Sequence, residues 1–464
     1  MDKQLQITFW GGVGSVTGAN FLLEGGHTKL LVDCGLMQGT SNSDMENRRP
    51  FSYDVTKVNY LFITHAHLDH IGRVCKLVRD GFRGVIYSTP ETRDLANVMI
   101  QDALKLMEMK SKEMGGMQQK PLYELQDFNQ TFFLWKTIPY HVETKLNDEF
   151  SVYLKDAGHI LGSSMYEFTH RSNPSTSLRA SKIVFTGDSG NSPSPLLKNT
   201  EQITDADYLI VDSVYGDRNH ESSVERDARF RQIVTETIQS HGALVIPAFS
   251  IERTQVILYE LNNLVEEGKI PSVPIFLDSP LGEKVTQIYS RQAKDFNLGV
   301  QGEIKAGDNI FDFPKLHITH GSRDSMEIVK TSNPKIIIAG SGMSSGGRVV
   351  WHEINFLPDP KSTILLMGYQ AVGTLGRRIQ DKPSQVEING SMVPVHARIE
   401  MISGYSSHKD SDHLVAMVSD TAQTVKKVFV VMGEPKTSTY LAQRLHDELG
   451  VDAVYPERGK PYLL

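Results

Sequence analysis

Cysteine is nearly absent from this chain of 464 residues, which contains only Cys34 and Cys75. Two cysteines cannot build a disulfide framework for a protein of this size, so we expect a reducing compartment, the cytoplasm. Long apolar runs are also missing: no stretch of about 18 apolar residues occurs, which argues against a transmembrane helix. Residues 1–10 lack a basic region followed by an apolar stretch, so no secretory signal is expected.

Positive charge is not in excess either, because the formal net charge is −7 at pH 7. A protein that holds nucleic acid through a broad basic surface is usually positive. If this chain binds a polyanion, the attraction must be local and come from metal ions and a few arginines. The charge therefore argues against a scaffold that coats nucleic acid and leaves an enzyme open.

What the sequence does contain is the composition of a globular protein with more than one domain. Hydrophobic residues make up 39% and charged residues 22% of the chain, as in ordinary globular proteins. Its length exceeds that of one ordinary core and predicts two or three domains. Short strands and Gly-rich turns fill the first 60 residues, and from about residue 220 strands and helices alternate regularly. Such alternation predicts a mostly parallel sheet with helices on its faces.

The strongest chemical signal is the segment His65-Ala66-His67-Leu68-Asp69-His70. It lies between a buried apolar run at residues 58–64 and a helical pattern. Imidazole nitrogens and carboxylate oxygens suit zinc, and ligands spaced this closely can converge on neighbouring ions. Such a set of residues would arise by chance in on the order of one in a thousand chains. The alternative, a polar loop with exposed histidines, is therefore disfavoured.

Two later segments have a similar pattern, in which a polar residue follows a strand among glycines. His159 stands in Ala157-Gly158-His159-Ile160-Leu161-Gly162-Ser163, and Asp188 stands in Phe185-Thr186-Gly187-Asp188-Ser189-Gly190. Taken alone, His159 is more often a structural histidine, and Asp188 is equally well a turn residue. Beside the first motif, both become candidate ligands, because glycines let the backbone approach an ion closely. Asp33 also ends a strand, and we expect it to orient a ligand rather than to bind metal.

These four segments, in this order, resemble the metallo-β-lactamase superfamily, whose fold is an αββα sandwich with two zinc ions between its sheets. Five further segments resemble its β-CASP branch, which holds the endonuclease of messenger-RNA 3′-end formation, ribonuclease J and bacterial and archaeal relatives. They are Val211-Asp212-Ser213-Val214-Tyr215-Gly216-Asp217-Arg218, Ile246-Pro247-Ala248-Phe249-Ser250 with Arg253, Ser341-Gly342-Met343 through Arg348, Gly368-Tyr369-Gln370 with Gly373-Thr374, and Ser406-Ser407-His408-Lys409-Asp410.

The resemblance spans nearly the whole chain and implies an α/β fold. Residues 1–212 and 391–464 would form a four-layer αββα metallo-β-lactamase sandwich. Residues 213–390 would form an inserted α/β cap domain, the β-CASP domain, with a parallel sheet.

The resemblance also implies a site for two zinc ions. The implied metal ligands are His65, His67, Asp69, His70, His159 and Asp188. One ion would be held by His65, His67 and His159. The other would be held by Asp69 and His70, and Asp188 would bridge the two ions.

The implied catalytic residues are Asp69, Asp188, Asp212 and His408. Asp212 matches an acid that orients the histidine of a later family motif. His408 matches that histidine and is the candidate proton donor to the leaving oxygen. The alternatives are a turn carboxylate for Asp212 and a loop histidine without a role for His408.

The chain departs from the family pattern at Met432. In the family, this place after a buried strand holds a histidine that binds the second zinc, whereas this sequence reads Val431-Met432-Gly433-Glu434. A thioether is soft, uncharged and a poor zinc ligand beside oxygen ligands. We therefore expect the second zinc site to be weaker than the first.

Substrate binding is expected from the cap domain. A loop of small residues there can expose backbone N–H groups to a phosphate, and its candidate residues are Ser341, Gly342, Ser344, Ser345, Gly346 and Gly347. Arg253 and Arg348 would add bidentate contacts to phosphate. Without the resemblance, such a loop is more often a plain turn.

The function that the resemblance implies is zinc-dependent hydrolysis of RNA, as an endonuclease or a 5′ exonuclease, through a hydroxide shared by two ions. Its partner would be single-stranded RNA, and no association with a membrane is expected. The chain could also form a homodimer, a point that stays open. Two alternatives also stay open. The chain could be a catalytically weak or silent RNA-binding or assembly subunit, because of Met432. It could also be a zinc hydrolase of another ester, because this sandwich hosts many chemistries.

Overall fold

The structure, a computed structural model, describes residues 4–39, 42–113, 120–171 and 180–464. Numbered along the chain, its strands are β1 (Gln6–Gly11), β2 (Asn20–Gly25), β3 (Thr28–Val32), β4 (Tyr60–Phe62), β5 (Val85–Ser88), β6 (Trp135–Thr137), β7 (Thr144–Lys145), β8 (Phe150–Asp156), β9 (Ser164–His170), β10 (Ser181–Phe185), β11 (Tyr208–Asp212), β12 (Ala243–Pro247), β13 (Ile275–Asp278), β14 (Leu316–Ile318), β15 (Lys335–Ala339), β16 (Thr363–Met367), β17 (Gln385–Ile388), β18 (Ser391–Pro394), β19 (Arg398–Ile402), β20 (Lys427–Val431), β21 (Ala453–Val454) and β22 (Pro461–Leu463).

The α-helices of the same residues are α1 (Ser43–Arg48), α2 (Leu68–Ile71), α3 (Val74–Arg79), α4 (Pro90–Glu113), α5 (Leu125–Leu134), α6 (Ser223–Gln239), α7 (Arg253–Glu266), α8 (Pro280–Tyr289), α9 (Leu298–Lys305), α10 (Ser322–Lys330), α11 (Arg348–Phe356), α12 (Leu375–Gln380), α13 (Ser411–Ser419) and α14 (Pro435–Leu449). Short 3₁₀ helices lie at Val55–Lys57 and Ala293–Asp295. Among the described helices, none combines the length and the apolar character that crossing a membrane requires.

The chain divides into two compact units. The first consists of Met1–Ser194, Asn199–Asn219 and His408–Leu464, and the second of Pro195–Lys198 and His220–Ser407. The domain bounds that the sequence suggested, at 212/213 and 390/391, differ from these ends. The reason at the second bound is that β19 pairs in parallel with β16, so residues 398–402 extend the sheet of the second unit.

The first unit is built on two seven-stranded sheets, with strand orders β22-β1-β2-β3-β4-β5-β6 and β21-β20-β11-β10-β9-β8-β7. An aromatic core joins them face to face. The ring of Phe62 in the first sheet lies 4.8 Å from that of Phe168 in the second, centroid to centroid, and Phe9 lies 5.2 Å from Phe429. The two sheets therefore form a sandwich around one apolar core.

Helices cover the outer faces of this sandwich. Along β10, Phe185 belongs to the core between the sheets, whereas the neighbouring Val184 packs outward with Leu414 of α13 and Leu441 of α14. Successive side chains of a strand point to opposite faces of its sheet, and here both faces are buried. On the first sheet, α5 packs against β5. The predicted αββα arrangement is confirmed.

Parallel strands bring several polar loops to one edge of the sandwich. In the first sheet, Val32 at the end of β3 lies beside Phe62 at the end of the parallel strand β4. In the second sheet, β10, β11 and β20 are parallel neighbours. Because the carboxyl ends of parallel strands meet at one edge, the residues that follow these strands collect there.

The second unit contains a six-stranded parallel sheet, with the order β14-β13-β15-β12-β16-β19, and the hairpin β17-β18. Its helix α6 begins at a capping box, where the Ser222 side chain accepts a hydrogen bond from the backbone N–H of Glu225. The predicted alternation of strands and helices is confirmed. As a result, Arg253 opens α7 after β12, and Arg348 opens α11 after β15.

Candidate metal centre

The histidine-rich segment leaves the end of β4 and turns at once into helix α2. His65 follows the strand by three residues, and His67 is the extended residue before the helix, with φ −70° and ψ 147°. Asp69 and His70 lie in the helical turn itself. The strand end and the short helix therefore present all four side chains from six consecutive residues.

Four side chains close around one point, and we call them the first ligand set: His65, His67, His159 and Asp188. The Nδ1 atom of His67 lies 3.1 Å from His65 Nε2 and 3.3 Å from His159 Nε2. Oδ2 of Asp188 lies 3.5 Å from His65 Nε2 and 3.6 Å from His159 Nε2. Ligand atoms about 2.0–2.1 Å from a tetrahedral zinc ion are roughly 3.3–3.4 Å apart. The spacing of the first ligand set therefore fits a tetrahedral metal site.

The other oxygen of Asp188 faces His70. Asp69, His70 and Asp188 form what we call the second ligand set. Nε2 of His70 lies 3.4 Å from Asp188 Oδ1 and 3.9 Å from Asp69 Oδ2. Both His70 Nε2 and Asp188 Oδ1 are buried, and apart from this ion-pair contact with each other neither makes a hydrogen bond to the described residues. Buried polar atoms without a hydrogen bond are unfavourable, so these two atoms point to a ligand such as a cation.

Asp33 holds His70 from the side opposite Asp188. Its Oδ2 lies 2.7 Å from His70 Nδ1 and accepts a hydrogen bond of 2.8 Å from Thr64 Oγ1, while its Oδ1 accepts one of 2.8 Å from Thr64 N. Contacts of this kind fix the ring of a metal-binding histidine and leave Nε2 to the metal. Sequence reasoning missed Thr64, whose position between the buried strand and His65 was the available signal.

Burial and neighbouring charges set the protonation of these groups. Burial lowers the pKa of His65 well below its ordinary value, which favours the neutral imidazole that binds metals. Burial raises the pKa of Asp69 to about 6. Burial also lowers the pKa of His70, but Asp188, Asp33 and Asp69 outweigh it and raise that pKa well above the ordinary value. The carboxylates around His70 therefore favour a positive charge at this place.

His408 and Asp212 lie directly beside the first ligand set. Nδ1 of His408 is 3.8 Å from Asp188 Oδ2 and 3.8 Å from Asp212 Oδ2. Asp212 is fully buried at the end of β11, and its Oδ1 accepts a hydrogen bond of 3.0 Å from Ser189 N. Burial lowers the pKa of His408, but Asp212 and Asp188 raise it above the ordinary histidine value. This arrangement gives an imidazole that can hold a proton next to the metal ligands.

Met432 lies at the end of β20 in a left-handed backbone conformation, with φ 51°. Its backbone N donates a hydrogen bond of 2.7 Å to Gly12 O, and its side chain belongs to the core between the sheets. Together with His70 and Thr64 it lines a small cavity of about 10 Å³. A thioether therefore occupies the place beside the second ligand set where the family pattern has an imidazole.

The small-residue loop lies between β15 and α11 of the second unit. Hydrogen bonds within the loop shape it: Ser344 N donates to Ser341 O at 3.1 Å, and Ser345 N donates to Ser341 Oγ at 3.1 Å. Gly342 packs against the ring of Phe249, because a Cβ there would lie 2.6 Å from Phe249 Cδ2. Gly346 and Gly347 both have positive φ, 139° and 74°. The predicted residues therefore do form one tight loop at a strand-to-helix junction.

Arg348, one of the two predicted arginines of this unit, is held in place by its other residues. Arg348 Nη1 donates to Asp278 Oδ1 at 2.6 Å, and its Nη2 donates to His320 O at 3.2 Å. Arg253 is only 6% exposed. Sequence reasoning missed Asp278, which is far from Arg348 along the chain and joins it only through the parallel sheet.

Comparison with known families gives matches along most of the chain. Residues 22–185 match the metallo-beta-lactamase superfamily domain, and residues 254–379 match the Beta-Casp domain. Residues 392–456 match the Zn-dependent metallo-hydrolase RNA specificity domain.

Several curated proteins are similar to this chain over nearly its full length. Ribonuclease TTHA0252 of Thermus thermophilus is 32% identical over 441 residues, which cover 95% of this chain and 96% of that protein. Transcription termination factor FttA of Methanosarcina mazei is 29% identical, and the match covers 97% of this chain and 70% of the factor. The same factor from Thermococcus kodakarensis is 30% identical and is covered to the same extent.

Among solved structures, one of a protein of unknown function from Enterococcus faecalis V583 shares the fold. It superposes with a TM-score of 0.57 and 12% sequence identity, and the match covers 100% of both chains. At this identity the similarity speaks for the fold alone.

Proposed function

This chain belongs to the β-CASP branch of the metallo-β-lactamase superfamily, and from that premise we propose that it is a metal-dependent hydrolase that cleaves phosphodiester bonds in RNA. The observation that carries the proposal is the position of Asp188. One of its oxygens faces His65 and His159, and the other faces His70. A carboxylate placed in this way can join two metal sites.

RNA is the proposed substrate because the names of the similar proteins and of one matching domain refer to RNA cleavage, transcription termination or RNA specificity. The Thermus relative is a ribonuclease, the archaeal relatives are transcription termination factors, and residues 392–456 match an RNA specificity domain. We propose single-stranded RNA in particular. A net charge of −7 argues against a broad basic surface that would hold a duplex, whereas one loop and a few arginines suit single phosphates.

Zinc is the metal that these residues fit best. Imidazole nitrogens with carboxylate oxygens at tetrahedral spacing are typical zinc ligands. The first ligand set would hold one ion and the second ligand set the other. A zinc pair supplies a water-derived nucleophile near neutral pH and offsets the charge that builds up on the attacked phosphoryl group.

His408 is the proposed proton donor. Asp212 and Asp188 raise its pKa above the ordinary value, so it can hold a proton near neutral pH. Asp212 is fixed by Ser189 N and orients the ring. Transfer of that proton to the departing ribose oxygen would leave a 3′-hydroxyl on one product and a 5′-phosphate on the other.

Phosphate binding is assigned to the loop at residues 341–347 and to Arg253 and Arg348. Glycines with positive φ at the start of a helix orient backbone N–H groups towards an anion. The contacts of Arg348 to Asp278 and to His320 O fix its guanidinium, which keeps 21% of its side chain exposed. A fixed guanidinium loses little conformational entropy when it binds a phosphate.

The catalytically silent alternative is not favoured. Met432 is the single departure from the family pattern, whereas the six predicted ligands and His408 lie together in the first unit. We therefore propose an active enzyme whose second zinc site is the weaker one. A cytoplasmic location is part of the proposal, because Cys34 and Cys75 are free and buried. We also propose that the protein forms a homodimer in solution, which light scattering would test by measuring the molecular mass.

The direct test uses a 5′-labelled single-stranded RNA and maps the ends of its products. We expect the parent protein to give 5′-phosphate and 3′-hydroxyl ends, and Asp69→Ala and His67→Ala to give no products. His446→Ala changes an exposed histidine of the same unit and should cleave like the parent, so it is the matched control. Equal cleavage by the parent and both ligand variants would point to a contaminating nuclease and end the proposal.

A further inference from the structure

Lys409 follows the candidate proton donor along the chain and is only 6% exposed. A lysine is rarely this deeply buried unless its ammonium group has fixed partners. Here Nζ donates a hydrogen bond of 2.7 Å to Gly190 O, and the backbone N of Lys409 donates one of 2.9 Å to Ser189 O. Gly190 also pairs with His408 in an isolated antiparallel bridge. The Lys409 backbone bond, which is part of this bridge, and the Lys409 side-chain bond therefore join the segment of Asp188 to the segment of His408.

Gly190 is the point at which the segments of the site meet. Its N donates a hydrogen bond of 2.8 Å to Ala157 O, close to His159, and its O also accepts one of 2.9 Å from Thr200 Oγ1. A Cβ on Gly190 would lie only 2.0 Å from Gly158 O, so the segments are in close backbone contact. The ammonium group of Lys409 is the charged donor at this junction.

Burial lowers the pKa of the Lys409 ammonium group to about 8, and the nearby carboxylates of Asp212 and Asp410 offset part of that effect. Asp212 is also the carboxylate that faces His408. Lys409 therefore contacts the backbone two residues after Asp188 and also interacts with Asp212, the carboxylate beside the proposed donor.

We propose that Lys409 is a positioning residue, whose Nζ–Gly190 hydrogen bond fixes Asp188 relative to His408. The inference rests on the proposed function and adds to it a residue outside the ligand sets and the donor. Because its ammonium group is held by Gly190 O, we expect Lys409 to act through these neighbours rather than on RNA. Its loss should therefore affect turnover and leave the binding of RNA largely intact.

The test compares Lys409→Met, which removes the donor, with Lys409→Arg, which keeps a charged donor. Misplacement of reacting groups by about 1 Å can lower a rate about 100-fold, so we expect kcat of K409M to fall about 10- to 100-fold with KM nearly unchanged. K409R should retain more activity than K409M. A loss in K409R as large as in K409M would overturn the proposal, as would parent-like kcat in K409M.

Lys155→Met is the matched control. Its Nζ also donates to a backbone carbonyl, Gln202 O at 2.8 Å, in the same unit. We expect K155M to keep the kcat of the parent. If K155M lost as much activity as K409M, the effect would be a general one of removing a lysine, and the proposal would fail.

A second readout does not depend on RNA cleavage. Each protein is loaded with Co²⁺ alone, and the visible absorption of the bound cobalt is recorded, since it reports the geometry of the ligands. We expect K409M to change this spectrum and K155M to leave it as in the parent. A parent that binds cobalt but does not cleave RNA would refute the proposed function, and the spectra would still decide on Lys409. Identical spectra in K409M and the parent would overturn the inference.

Discussion

At the scale of single residues, the candidate site depends on side chains that are far apart in sequence but share one edge of the sandwich. His65, His159 and Asp188 come from three separate loops, yet their ligand atoms lie within 3.6 Å of a neighbour in the set. Asp33 and Thr64 then fix His70 from behind. The fold thus brings residues that are distant in sequence together as one candidate metal site.

The role of His408 can be tested through the pH dependence of cleavage. The acid form donates the proton, and the pKa of His408 is raised above its ordinary 6.5, so parent kcat should decline only as pH rises through that higher value. His408→Ala should lower kcat by roughly 10²- to 10⁴-fold and remove this decline, with zinc content unchanged. The measurement is kcat between pH 5 and 9, together with zinc per chain. A variant that keeps the alkaline decline would assign it to another group.

Met432 leads to a prediction about metal content. Met432→His places an imidazole next to His70, so we expect zinc per chain to rise towards two after dialysis against limiting zinc. Met45→His is the control, because Met45 is an exposed methionine of the same unit. Metal analysis of the three proteins should single out M432H. Equal zinc in all three would count against the assignment of position 432.

Most of the candidate site could be predicted from the sequence, because its ligands lie in short motifs that end strands. Lys409 and Asp278 could not be predicted, since each acts through a contact with a distant segment, whereas the position of Thr64 before His65 was a signal that was missed. Asp278 and Arg348 show this: the hydrogen bond of 2.6 Å between them depends on which strands are neighbours. The pattern of strands and helices along the chain does not contain that information.

At the scale of secondary-structure elements, the periodicity of apolar residues predicted the strands and helices of the second unit well. It failed just after the histidine-rich segment, where one helical pattern was expected and the structure has two short helices, α2 and α3. The break lies at Gly72 and Arg73, where Arg73 N donates a hydrogen bond of 2.8 Å to Cys34 O. A tertiary contact thus overrides the local preference for one continuous helix.

Helix α11 contains a buried acid that predicts a pH-dependent stability. Burial raises the pKa of Glu353 to about 8, and Ser344 Oγ donates a hydrogen bond to it. The folded protein therefore holds a proton that the unfolded chain releases above about pH 4.5, so this carboxyl lowers the free energy of unfolding as pH rises from there to about 8. Glu353→Gln removes the effect.

We therefore expect E353Q to be more stable than the parent at pH 9 by at most roughly 5 kcal/mol, and to differ little near pH 4.5. Urea unfolding at pH 5, 7 and 9 measures the difference. Glu327→Gln, at an exposed glutamate of the same unit, should show no such trend. A constant difference between E353Q and the parent across this range would mean that the carboxyl is already ionised in the folded protein.

At the scale of the whole molecule, the chain combines an αββα sandwich with a parallel-sheet unit inserted between residues 219 and 408. The sandwich was predicted by the resemblance to the metallo-β-lactamase superfamily, and the parallel-sheet unit by the regular alternation of strands and helices. The sequence could not place the second boundary. A β-rich stretch near residue 390 fits the edge of either sheet, and only the pairing of β19 with β16 assigns it to the second unit.

The central claim is that two metal ions share Asp188 in the first unit, and diffraction at the zinc absorption edge tests it most directly. Crystals grown with zinc should show a strong anomalous peak enclosed by the first ligand set and a weaker peak beside His70 in the second ligand set. A map without a peak at either set, or with zinc bound only elsewhere, would contradict the account.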